Sequence, residues 1–265
     1  MSLKKVAAVQ MNSTDNVEQN IMQAAFYIEQ ATKQGAELVV LPEMFVYIGK
    51  KPEIISAIAE TDGIGPIQDF LSNIARKHGC WLVSGTIPIL SNIPEKTYAS
   101  TLVFNDQGCR VARYDKQHLF DVAVDPSKEV YQESKFTIPG NHSVVIDSPF
   151  GRLGVAVCYD LRFPTVFLAM AEQACEIIAV PAAFTVPTGT AHWETLVRAR
   201  ALDTFSYLIA ADQTGLHLNG RRTYGHSMIV GPWGNVLKAT MSKPGIIVHQ
   251  IDHQITHAIR QRFGQ

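Results

Sequence analysis

Short apolar runs that stop abruptly at a reactive side chain constrain this 265-residue chain more than any other feature. Glu37-Leu-Val-Val-Leu41 ends at Pro42 and is followed by Glu43, and Arg152-Leu-Gly-Val-Ala-Val157 ends at Cys158. Runs of this length, rich in valine and leucine, are too short for helices and read as strands buried on both faces. Helical patterns alternate with them. Residues 16–34 place Ile21, Ala24, Ala25, Ile28 and Ala31 at helical spacing before Gly35, and residues 67–77 form a second amphipathic helix between Pro66 and Gly79. Strands are expected at 80–87, 97–104 and 110–114, the last two joined by Asn105-Asp-Gln-Gly108. Residues 116–140 are irregular and polar, a loop long enough to be functional. Further on, strands at 152–157 and 176–180 alternate with helices at 163–174 and 191–205. Strands at 207–212, 227–230, 236–239 and 246–251 and a helical piece to Arg262 complete the pattern. Many strands, few helices and both connection types imply a mixed sheet, or two packed sheets, with helices outside.

Net charge and apolar content limit the function classes. A charge of −1 gives no electrostatic case for nucleic acid or a membrane surface. The apolar fraction of 46% suffices for one large core, so a single domain over 1–265 is expected. The N-terminal apolar run is too short for a signal peptide. The densest apolar stretch, residues 177–186, is broken by Pro181, so no membrane span is expected. Cys80, Cys109, Cys158 and Cys175 are far apart and form no disulfide framework, which points to the cytoplasm.

Two readings of Cys158 are open. A free cysteine is commonly a small buried hydrophobe. At a strand end before a helix it also has the setting of a nucleophile elbow, where helix N–H groups would lower the thiol pKa. Glu43 is either a solvated loop residue or a half-buried carboxylate suited to base work. Lys116 ends another strand, and Glu133 lies in the long polar loop. These groups converge if their strand ends share one edge. A cysteine–histidine dyad with His192 or His226 competes with that arrangement. His249, His253 and His257 recur at four-residue spacing without the partners that a metal site requires, and no metal is expected.

Leu41-Pro-Glu43, Tyr114-Asp-Lys-Gln-His-Leu-Phe120 and Gly154-Val-Ala-Val-Cys-Tyr-Asp160, in this order, resemble the nitrilase superfamily of carbon–nitrogen hydrolases over essentially the whole chain. The resemblance implies an α/β fold, a four-layer α-β-β-α sandwich. It implies a catalytic triad of Glu43, Lys116 and Cys158, with Glu133 matching a second glutamate, and an oxyanion site at Lys116 and the Tyr159 N–H. It implies no cofactor, a small-molecule amide substrate and a homodimer or higher homo-oligomer. The segments Thr188-Gly-Thr-Ala-His-Trp-Glu194, Ala211-Asp-Gln-Thr-Gly215 and Arg222-Thr-Tyr-Gly-His-Ser-Met228 resemble the branch that hydrolyses deaminated glutathione to 2-oxoglutarate and cysteinylglycine. An omega-amidase acting on 2-oxoglutaramate and a catalytically silent binding protein are the alternatives. Thr165 and the Asp125-Pro-Ser-Lys128 segment depart from the usual pattern.

Substrate carboxylates call for arginines, which match them bidentately; Arg162, Arg221 and Arg222 are candidates. Arg162 is expected to brace the elbow by pairing with Asp160, leaving Arg222 to bind substrate. Phe45, Tyr47, Phe184 and Thr188 follow strand ends and are expected to line the pocket.

Overall fold

The computed structural model describes residues 3–51, 53–125 and 129–264; Pro126, Ser127 and Lys128 of the departing segment fall outside them. The first half contains β1 (Lys4–Gln10), α1 (Val17–Lys33), β2 (Leu38–Val40), α2 (Glu53–Ala57) and α3 (Pro66–His78). Then come β3 (Trp81–Val83), β4 (Ile87–Leu90), β5 (Thr97–Phe104), β6 (Arg110–Asp115), β7 (Asp121–Asp125) and β8 (Glu129–Gln132). The second half opens with β9 (Val145–Ser148), β10 (Gly151–Val155), α4 (Pro164–Glu172), β11 (Ile177–Ala182) and α5 (Val186–Thr204). It continues through β12 (Tyr207–Asp212), β13 (Thr214–Leu216), β14 (Arg222–Tyr224) and β15 (Met228–Val230). It closes with β16 (Val236–Ala239), β17 (Gly245–Ile251) and α6 (His253–Arg262).

Two mixed sheets result. One runs β17-β1-β2-β3-β5-β4, with β6 on the far edge of β5, and the other runs β16-β15-β12-β11-β10-β9. Each has a parallel centre, β1-β2-β3 and β10-β11-β12, flanked by antiparallel strands. Alternation along β1 shows how the layers form. Val6 and Ala8 face the other sheet and join a core with Leu153, Val155, Ala179 and Ile209. Ala7 and Val9 face outward and pack with Ile28 of α1 and Leu71 of α3. On the far side, Phe167 of α4 and Trp193 and Val197 of α5 cover the second sheet. The fold is a four-layer α-β-β-α sandwich.

Local chemistry sets the boundaries. Asn16 caps α1 by accepting the Gln19 N–H, and Gly79 ends α3 in the left-handed region. Helix α5 starts five residues earlier than its apolar periodicity indicated. Thr185 caps it and Pro187 occupies the first turn, signals that carry no periodicity. The expected strand at 80–87 is two strands, because the chain turns at Gly85. The polar segment 116–140 contains the antiparallel ribbon β7–β8 and a 3-10 turn at Glu133–Lys135.

Gly85 also fixes the approach to the site. It sits at φ +69°, and a Cβ there would lie 2.1 Å from the Pro42 carbonyl oxygen, immediately before Glu43. Gly85→Ala is therefore expected to lose at least about 1–3 kcal/mol through the left-handed backbone alone. Urea unfolding measures it; wild-type stability in this variant would show that neither the left-handed backbone nor the Pro42 crossing constrains residue 85.

Candidate active site

The C-terminal ends of β2, β6 and β10 meet at one edge of the two sheets. After β2, Pro42 turns the chain; Gln213 donates to the Glu43 carbonyl at 3.0 Å, and the Thr86 hydroxyl accepts the Met44 N–H at 2.8 Å. After β6, Lys116 is held by its N–H on the Ala99 carbonyl and its carbonyl on the Gly140 N–H. After β10, Val157 leads into a 3-10 turn, Cys158–Arg162, with Cys158 itself at φ +48°. A left-handed cysteine between strand and helical turn has the shape of a nucleophile elbow, and such strain persists only where surrounding contacts enforce it.

Asp160 enforces it. Its fully buried carboxylate accepts the Val157 N–H at 2.9 Å, the His118 N–H at 3.0 Å and the Tyr114 hydroxyl at 2.7 Å, and lies 2.8 Å from His118 Nδ1. One side chain thus locks the elbow to the segment that carries Lys116.

At the centre, Lys116 Nζ donates to Glu43 Oε1 and to Glu133 Oε2, each at 2.7 Å. Glu133 Oε2 also accepts the Phe120 N–H, fixing the ribbon over the site. Burial opposes the Lys116 charge, but the Glu133 and Glu43 carboxylates outweigh it and raise the ammonium above the usual lysine range. Burial raises the Glu133 carboxyl, with Lys116 opposing and Glu43 adding to the rise. Cys158 belongs to the same cluster. Burial and then the Glu43 charge push its thiol well up, and Lys116 only partly offsets them. The expected lowering by helix N–H groups is overturned: the turn is a short 3-10 helix, and desolvation beside a carboxylate dominates. The cluster forms the floor of a cavity of about 280 Å³.

The carbon–nitrogen hydrolase family model matches residues 5–261. The chain belongs to that family. It is 43% identical to the deaminated glutathione amidase of Yersinia enterocolitica over 89% of this chain and 82% of that protein. It is 38% identical to the deaminated glutathione amidase of Bos taurus over 98% of this chain and 80% of that one. Saccharomyces cerevisiae Nit3, a member of branch 10 of the nitrilase superfamily, superposes with a TM-score of 0.87 at 32% identity, covering 98% of this chain and 94% of that one.

Around the floor of this hydrolase cavity stand Tyr47, Tyr159, Phe184 and Thr188. Phe45 does not join them. Its ring is fully buried in the core between the first sheet and α1, because Glu43 and Phe45 point to opposite sides of the turn. Arg222 is also displaced: it is exposed on β14, whereas the preceding Arg221 lines the cavity. Successive side chains on an extended segment alternate faces, and a pair of adjacent arginines does not reveal which one faces inward. Arg162 is not paired with Asp160, whose oxygens are taken by Tyr114, His118 and Val157. Its guanidinium reaches His192 Nδ1 at 3.0 Å and lines the cavity.

The histidines lie elsewhere. His192 meets Arg162, and His226 stacks on Tyr224, so neither faces the thiol. His249 lies on β17, while His253 and His257 turn toward Glu176; among the described residues no metal-holding group of three forms. Residue periodicity missed the aromatic row of Phe120, Tyr131 and Tyr159 along the cavity, in which Phe120 is 5.1 Å from each neighbour. It also missed Gln213, though the polar pair Asp212-Gln213 directly after the apolar run 207–211 is itself a signal of a buried polar role.

A thiol with a raised pKa binds its proton more tightly in the folded chain than in the unfolded one. Stability is therefore fully present below the unfolded thiol value of about 8.5 and falls as pH rises past it. Cys80 and Cys175, both pushed by burial up to about 12, contribute equally to wild type and variant. The difference isolates Cys158. Wild type is expected to lose stability more steeply than Cys158→Ala between about pH 8.5 and 10, by up to about 1.4 kcal/mol per pH unit. Equal slopes in urea unfolding would mean that the folded thiol is not held neutral.

Proposed function

We propose that this hydrolase cleaves the amide bond of deaminated glutathione to 2-oxoglutarate and cysteinylglycine, with Cys158 as nucleophile. The observation that carries the chemistry is Lys116 held between Glu43 and Glu133 in the same buried cluster as the Cys158 thiol. The similarity to deaminated glutathione amidases over most of the chain supports the substrate. Two guanidinium groups, Arg162 and Arg221, line a cavity that must receive a substrate with two carboxylates.

In this reading Glu43 takes the thiol proton as sulfur attacks the amide carbonyl, so no free thiolate need accumulate. The oxyanion accepts from Lys116 and from the Tyr159 N–H, an early N–H of the 3-10 turn without an acceptor inside it. Each such donor is worth about 3 kcal/mol in a water-poor site. The tetrahedral adduct collapses, breaking the C–N bond, and the amine leaves with the proton from Glu43. Glu43 then deprotonates water, which attacks the thioester; the second adduct expels Cys158, and the proton returns to sulfur. Glu133 holds Lys116 in place and shares its charge with Glu43.

The reading extends to one carbon–nitrogen hydrolase domain acting as a homodimer in the cytoplasm. Its support is an exposed apolar cluster of Leu202, Trp233 and Phe263, free cysteines, and described helices of which none is long and apolar enough to cross a membrane.

Purified protein is expected to release 2-oxoglutarate and cysteinylglycine in equal amounts from deaminated glutathione. Cys158→Ala should abolish both, and Glu43→Gln should lower kcat by about 10²–10⁴. Turnover surviving in Cys158→Ala would remove the nucleophile. A folded wild type that cleaves 2-oxoglutaramate but not deaminated glutathione would remove the substrate.

A further inference from the structure

We propose that Arg221 forms a second carboxylate subsite that reads the terminal carboxylate of the leaving group, and that this subsite selects a peptide-length substrate over a simple amide. The assignment rests on the deaminated glutathione reading above, whose cysteinylglycine leaving group ends in a carboxylate.

The first observation is unspent hydrogen-bonding capacity. Arg221 lines the cavity and makes no salt bridge to a carboxylate among the described residues, although the buried Asp212 carboxyl feels its charge at longer range. Its Nε–H is buried without a partner, one Nη donates to the Ala183 carbonyl, and the other meets only the Met44 thioether, at 3.8 Å. Sulfur is a weak acceptor, and a half-buried guanidinium in this state favours an anion. Asn219, on the same loop and also lining the cavity, accepts the Arg221 N–H with Oδ1 and so keeps its Nδ2 donors available.

The second observation is position. Arg162 lies over Tyr159 at 5.8 Å, Tyr159 meets Phe120, Phe120 meets Tyr131, and Arg221 lies over Tyr131 at 5.1 Å. The two arginines therefore stand at the two ends of one aromatic row. Arg162 belongs to the same turn as Cys158, to which the acyl half of the substrate stays bonded after the C–N bond breaks. Arg221 touches Met44, the residue after Glu43, and Glu43 must face the departing nitrogen to protonate it. The leaving group thus runs along the wall that Arg221 shares. Two extended residues reach about 7 Å, enough to carry a terminal carboxylate away from the reacting bond toward this second cation.

The test compares deaminated glutathione with its C-terminal carboxamide, using intact wild type, Arg221→Met and Arg162→Met. The readout is the ratio of kcat/KM for the two forms, so that a general loss from misfolding cancels. Arg221→Met is expected to lower the carboxylate-over-carboxamide preference by about 10- to 100-fold, the scale of a charge-assisted hydrogen-bonded pair. Arg162→Met is expected to impair both forms alike. An unchanged ratio in Arg221→Met, or a ratio that collapses in Arg162→Met instead, would overturn this assignment while leaving the substrate reading intact. No turnover of either form by the folded wild type would overturn both.

Discussion

The site depends on one buried ammonium. Lys116 is 2% exposed and meets two carboxylates from segments 73 and 17 residues away. An unpaired charge in such surroundings costs several kcal/mol, so the arrangement survives only if all three backbones are held in register. The fold supplies a separate restraint for each. Gly85 admits the Pro42 carbonyl so closely that no side chain fits between them, Ala99 and Gly140 hold the Lys116 backbone, and the Phe120 N–H pins Glu133. A shift of one segment would leave a desolvated charge behind, which makes the cluster a strict gauge of correct packing as well as a chemical device.

Asp160 extends that coupling to Cys158, the nucleophile of the proposed reaction. Through Val157 on one side and His118 and Tyr114 on the other, it makes the elbow and the Lys116 segment a single unit. The strained cysteine backbone is thereby tied to the same geometry that pairs the charges. Burial and the Glu43 charge hold the thiol pKa up, so the proposed reaction draws on proximity rather than on a standing thiolate. The same desolvation strengthens the charge interactions among Lys116, Glu43 and Glu133.

Much of this was legible in the chain because it is written locally. The buried runs before Glu43 and Cys158, the alternating helices and the caps at Asn16 and Gly79 need only a few adjacent residues, and the four-layer arrangement follows from the family resemblance. What stayed hidden depends on partners distant in sequence. Arg162 has Asp160 two positions away and looks like its natural mate, yet Tyr114, His118 and Val157 take every oxygen of that carboxylate. Phe45 and Arg222 are each adjacent to residues that line the cavity; a turn through left-handed Met44 separates Phe45 from it, and the alternation of an extended segment separates Arg222. The ribbon β13–β14 was hidden too, being two three-residue strands in a segment that reads as turns.

The same charge accounting explains how one cavity keeps its cations distinct. An ammonium carries three donors, and Glu43 and Glu133 occupy two of those on Lys116, leaving one for an oxyanion. Two carboxylates face its single charge, so a substrate carboxylate gains little by approaching it. Arg162 and Arg221 have no carboxylate within salt-bridge reach among the described residues: one meets an imidazole nitrogen, the other a carbonyl and a thioether. In the proposed reaction a doubly anionic substrate is therefore drawn to the guanidinium groups at the ends of the aromatic row, and the amide between its carboxylates is left to the Lys116 cluster. Without Glu133, Lys116 would face Glu43 alone, and a substrate carboxylate would meet less repulsion there. In the proposed reaction the second glutamate thereby reserves Lys116 for the charge that develops only as the amide reacts.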